Sequence, residues 1–240
     1  QVEGSGPALK PTTWSCNGVV DIRNCKLNDH PISQLQCDLD FEGKIHNYRN
    51  IVISRPEGAI AGKHVQFNHE KHTCELFGVE GHVFPQHAVG WFAPRAAKKL
   101  VVYDFHEPPY LNVSGTIDVR KREVLAKLQE RANHQYKLSF ESDSTATYPL
   151  FGKTLHLNKP SGTVEISGNT IFLSDFTTEA LGGQVEANVS LTDIHRDTGY
   201  DVQLNVKDVD FRQLAETYSS FHDTGGSMTG SAHFKGKGDG

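Results

Sequence analysis

Across most of this chain the side chains alternate apolar and polar with a period of two, and that pattern limits the fold more than any motif does. Leu35, Cys37, Leu39 and Phe41 alternate with Gln36, Asp38, Asp40 and Glu42, which puts an apolar row on one face of a strand and a charged row on the other. The pattern returns at Leu111, Val113, Ile117 and Val119, at Tyr136, Leu138 and Phe140, and at Val164 and Ile166. It returns again at Val185, Ala187, Val189 and Leu191, at Val202, Leu204 and Val206, and at Met228, Ala232 and Phe234. Parallel strands buried on both faces would be continuous apolar runs, so alternation means antiparallel strands with one solvated face. About ten to fifteen strands are expected. Turn signals stand at Pro56-Glu57-Gly58, Ser161-Gly162, Gly168-Asn169, Gly182-Gly183 and Gly225-Gly226, where glycine supplies the positive φ that tight hairpins need.

Helical pattern is scarce. Phe84 to Phe92 places Pro85 in a first turn with Val89, Trp91 and Phe92 to one side, and a second short helix is expected from Pro94 to Leu100. Glu123 to Asn133 carries Val124, Leu125 and Leu128 at helical spacing; Asp210 to Ser219 carries Phe211, Leu214 and Ala215 behind an Asp cap. The fold class is therefore mostly β: a long antiparallel curled sheet or sandwich of divergent β repeats with two or three short covering helices. Gly58-Ala-Ile-Ala-Gly-Lys-His-Val-Gln-Phe67 compares with Leu181-Gly-Gly-Gln-Val-Glu-Ala-Asn-Val189 as two copies of such a repeat. The reading is one domain over 1–240, with possible sub-units at 1–83, 84–133 (a helical cover) and 134–240.

Charge narrows the partners. The 240 residues hold 24 Lys and Arg against 29 Asp and Glu, a net charge of -5, which is not the basic field of a nucleic-acid binder. No apolar run approaches the roughly 20 residues of a membrane helix. The chain opens on Gln1-Val-Glu-Gly-Ser5 without an initiator Met and closes on Lys235-Gly-Lys-Gly-Asp-Gly240 within a strand-like pattern. It reads as a fragment of a longer protein.

Candidate chemistry is sparse. Cys16, Cys25, Cys37 and Cys74 show no C-x-x-C spacing, so three disulfide pairings and four free thiols all stay open. Asp-Thr-Gly occurs at Asp197 and at Asp223; in an aspartic endopeptidase two such carboxylates a few Å apart share one proton, activate water and cleave an extended polypeptide or glycoprotein. The same triplet is a good turn sequence. His195-Arg196 and Phe221-His222 precede the two aspartates where apolar residues are usual, and their spacing is short for a two-lobed enzyme. His69, His72 and Cys74, with His64 nearby, are weak metal candidates, because a strand sends His69 and His72 to opposite faces. No nucleophile elbow, phosphate loop or dinucleotide motif occurs, and no cofactor is expected. Trp91, Phe92, Tyr103, Phe105 and Tyr110 are placed either to seat a helix on the sheet or to line a binding mouth.

Tyr200-Asp-Val-Gln-Leu-Asn-Val-Lys-Asp-Val-Asp-Phe-Arg-Gln-Leu214, followed by Gly225-Gly-Ser-Met-Thr-Gly-Ser-Ala-His-Phe-Lys-Gly-Lys-Gly238, resembles the AsmA-like C-terminal region. Asp210, Phe211 and Leu214 match its strand-to-helix step, and Gly226, Gly230, Gly236 and Gly238 match its glycine-spaced strand. The resemblance implies a Gram-negative envelope protein, exported to the periplasm, with a membrane-anchored parent and a phospholipid or other envelope lipid as partner. It also implies envelope protein partners, and the fragment itself is expected to be a monomer or weak dimer. In that case Leu111, Val113, Val185, Val189, Val202, Leu204 and Val206 line an apolar groove. On pattern alone, an ordinary filled β core with short covering helices is the favoured reading of the same residues.

Overall fold

A computed structural model describes residues 2–5, 13–27, 30–90, 97–98, 100–194, 197–221 and 223–239. Fifteen strands form one sheet. They are β1 (Val2–Ser5), β2 (Ser15–Leu27), β3 (His30–Glu42), β4 (Ile45–Arg55), β5 (Gly58–Asn68), β6 (Thr73–His82), β7 (Asp104–Phe105) and β8 (Tyr110–Asp118). The others are β9 (Gln135–Glu141), β10 (Thr145–Leu150), β11 (Lys153–Ser167), β12 (Thr170–Ala180), β13 (Gly183–Thr192), β14 (Asp197–Asp210) and β15 (Ser227–Asp239). Every described pairing is antiparallel, and the order follows the chain from β1 to β6, then β8, β9 and β11 to β15. β9 and β10 act as one interrupted strand, both lying along β11 on either side of a break at Ser142–Ser144. β1 and β15 stand at the two ends of this order, and β7 lies off it, paired with β10.

One backbone feature recurs along the sheet. Asn24, Asn50, Gly78, Asp175 and Asp208 all have positive φ, on β2, β4, β6, β12 and β14. On the last four of these strands the pairing register slips by one residue at that point. These are bulges, which bend a strand and raise its twist. Three are built alike. The backbone N–H of Gly78 donates to Ser114 Oγ at 3.2 Å, that of Asp175 to Asn188 Oδ1 at 3.2 Å, and that of Asp208 to Thr229 Oγ1 at 3.0 Å. In each case a side chain on the next strand takes the donor that the bulge frees.

The helices are short. α1 (Pro85–Gly90) follows β6, and Ala88 packs with Ile53, Val79 and Phe140 around the buried cluster of Ile60, Val83 and Leu111. Trp91, Phe92 and most of the segment from Pro94 to Leu100 lie outside the described residues, as do His195 and His222. α2 (Arg122–Leu128) is shorter than its pattern suggested, because Gln129 turns left-handed at φ 56 and closes the last turn onto Leu125 and Ala126. α3 (Phe211–Tyr218) matches expectation, with the Asp210 carboxylate accepting the N–H groups of Arg212 and Gln213. Two expectations need correction. Residues 84–133 are not a helical cover alone, since the sheet runs through them as β7 and β8. Ser161-Gly162 is not a turn but the middle of β11; a Cβ at Gly162 would meet the Phe140 ring at 3.2 Å, a tight contact.

Candidate functional site

The register sorts side chains into two faces. One row runs Gly18, Leu39, Tyr48, Val65, Leu76, Gly115, Tyr136, Ile166, Ile171, Leu191, Tyr200 and Gly236, each directly opposite the next, from β2 to β15. Beside it runs Ile51, Gly62, Val79, Val113, Leu138, Val164, Leu173, Val189, Val202 and Phe234, from β4 to β15. Neither row contains a charged residue. The groove candidates fall on this face: Val113, Val189 and Val202 in the second row, and Val185 opposite Val206 with Ala187 opposite Leu204. Leu111 is instead buried beneath α1.

The other face is laced with polar contacts. Asn50 Nδ2 donates to Asp38, Arg49 pairs with Asp40 at 3.0 Å, and His64 and Gln66 both meet Asn47 Oδ1 at 2.9 Å. Lys137 pairs with Glu165, while His233 and Lys235 share Asp201. Exposed pairs of this kind add little stability individually, but they fix which face meets water.

The apolar rows are not fully covered. The chain exposes 15184 Å², whereas a filled globule of 26.6 kDa would expose about 10,700 Å². The row residues are mostly half-buried, shielded by their neighbours along the row, and Phe234 at the β15 edge is 54% exposed.

α1 closes over one margin of the face through a charged anchor. Arg55, whose side chain is 4% exposed, pairs with Glu57 at 2.5 Å, and His87 of α1 meets the same carboxylate at 3.0 Å. Burial would push Glu57 up, but its own backbone N–H, His87 and Arg55 outweigh that and hold the carboxyl below its ordinary value. The His87 ring also lies 5.7 Å from that of His30 on β3, so α1 links the end of β6 to the start of β3.

The remaining candidates are not assembled. Asp197 opens β14, while Asp223 follows α3 at the far end of that strand, where Thr224 O accepts Arg212 Nε. Fourteen residues at about 3.3 Å each separate the two ends by roughly 40 Å, so one chain cannot bring these carboxylates together. His69 reaches His46 Nδ1 at 3.0 Å, His72 stands in a left-handed turn at φ 54, and Cys74 is buried. Among the described residues no group of His, Cys, Asp and Glu has metal-site geometry. His46, which stacks on Phe41 at 4.1 Å, is the partner the sequence did not indicate. Burial, with His46 and His72 nearby, lowers the His69 pKa. All four cysteines are free. Of the aromatic set, Tyr103 stacks on Tyr148, Phe105 joins β7 opposite Ala146, and Tyr110 Oη donates to Glu80. Compared with known protein families, characterised proteins and solved structures, the chain matches none.

Proposed function

We propose that this chain is a non-enzymatic envelope protein that holds phospholipid or another envelope lipid on its apolar face, serving lipid handling and outer-membrane homeostasis or scaffolding in the periplasm. The observation that carries the reading is the uncharged row from Gly18 to Gly236, twelve strands long, on a chain with about 4,500 Å² more surface than a filled globule would have. The likeness of residues 200–238 to AsmA-like C-terminal regions supports the same function. Acyl chains laid across the rows would remove that apolar area from water at about 25 cal/mol per Å².

Native mass spectrometry with lipid extraction of the purified protein tests this. Bound lipid is the expected result. Leu173→Glu places a charge in the second row and abolishes it, whereas Phe172→Glu, one residue away on the opposite face, leaves it unchanged. Equal lipid content in both variants, or none in the parent protein, would overturn the reading.

A further inference from the structure

β8 and β9 are adjacent antiparallel strands, which a two-residue hairpin can join. Here the connection runs from residue 119 to residue 134 and is held in shape. Asp118 accepts the N–H groups of Arg120 and Asn133, and Arg120 pairs with both Asp118 and Glu130. Val119 N donates to His72 O. Leu125 of α2 is buried and seats the helix, yet Val124 and Leu128, one turn apart on the same stripe, are 43% and 55% exposed. Lys121 and Lys127 are exposed beside that stripe. Residues 119–131 contain five Lys and Arg against two Glu, in a chain of net charge -5, and within that count Arg120 and Glu130 offset one another.

We propose that this loop docks the protein onto an anionic bilayer, with α2 lying in the plane of the headgroups, Val124 and Leu128 reaching toward the acyl chains, and the lysines among lipid phosphates. An apolar stripe flanked by cations suits that boundary, where each Lys adds about 1 kcal/mol of attraction. The inference deepens the lipid reading and rests on it, giving the sheet a fixed place to meet the membrane it serves.

Vesicle flotation tests it with the whole chain. Binding is expected to phosphatidylcholine vesicles containing about a third phosphatidylglycerol and to weaken in about 0.5 M NaCl, with little binding to phosphatidylcholine alone. Lys121→Gln with Lys127→Gln weakens binding roughly thirtyfold, and Val124→Ser with Leu128→Ser weakens it at least tenfold. Both pairs keep the lipid found by native mass spectrometry, so loss of docking is told apart from loss of cargo. Equal binding by the lysine pair and the parent, equal affinity for neutral vesicles, or attachment only to an acidic protein overturns the proposal.

Discussion

Tyr200 on β14 lies across Gly236 on β15, so closely that a Cβ built on the glycine would collide with the phenol. The row from Gly18 to Gly236 thus ends in a tyrosine that covers a glycine. Gly236→Val is expected to cost about 1 kcal/mol by displacing the ring. Gly230→Val on the same strand, where a Cβ meets open space, should be neutral or stabilising by about 0.5 kcal/mol. Urea midpoints of the two variants decide; equal shifts would show that the Tyr200 contact contributes nothing.

Asp118 organises the β8–β9 connection, and its protonation state should be visible in stability. The Arg120 guanidinium, helped by the backbone N–H groups of Arg120 and Asn133 and opposed by burial, holds the carboxyl far below the usual carboxylate range. A depressed pKa contributes stability above the unfolded value and loses it as pH falls through the folded one. Asp118→Asn should therefore cost about 3 kcal/mol at pH 7, and the difference from the parent should shrink as pH drops below about 4. A difference unchanged between pH 7 and pH 2 would exclude the charged bracket.

Phe151 sits at the tip of the β10–β11 hairpin with φ 49, followed by Gly152 at φ 75. Two successive positive angles make a turn that favours Asn-Gly, yet the position holds a phenylalanine that is 88% exposed and touches Tyr218 of α3 edge-on. Phe151→Asn should raise stability by about 0.5–1 kcal/mol. A lower unfolding midpoint would mean that the Tyr218 contact outweighs the backbone preference.

The four thiols should separate by reactivity. Burial, reinforced by Glu75, pushes the Cys74 thiol up to about 12, and burial raises Cys37 as well. Both are buried, whereas Cys16 and Cys25 are half-buried. Since the thiolate is the nucleophile, maleimide at pH 8 should label Cys16 and Cys25 at least tenfold faster than Cys37 and Cys74, as read by peptide mapping. Uniform labelling would show that the apolar face opens in solution.

Alternation identified the faces of β3, β8, β9, β13 and, as far as Val206, β14 residue by residue, because those stretches keep period two along their apolar rows. It failed in β4, β5 and β6. There the rows step from Tyr48 to Ile51, from Val65 to Gly62 and from Leu76 to Val79, three residues each, because the bulges at Asn50 and Gly78 shift the phase. A period count therefore breaks at the positions where the sheet bends. In the sequence only the residue types at Asn50 and Gly78, which tolerate a positive φ, bear on the cause.

The sequence by itself determined that the chain makes antiparallel strands with one apolar face, where α3 begins at Asp210, and that its charge does not suit nucleic acid. Those are local matters of side-chain period, capping and composition. Tertiary structure alone decided that the apolar rows join across twelve strands, that Asp197 and Asp223 stand at opposite ends of β14, and that Arg55, Glu57 and His87 anchor α1. Each depends on register and on residues far apart in the chain, and the physical reason is the same throughout. An apolar row is equally content against a second sheet, beneath a helix or beside a lipid, so its period states what must be covered and leaves the cover to the fold.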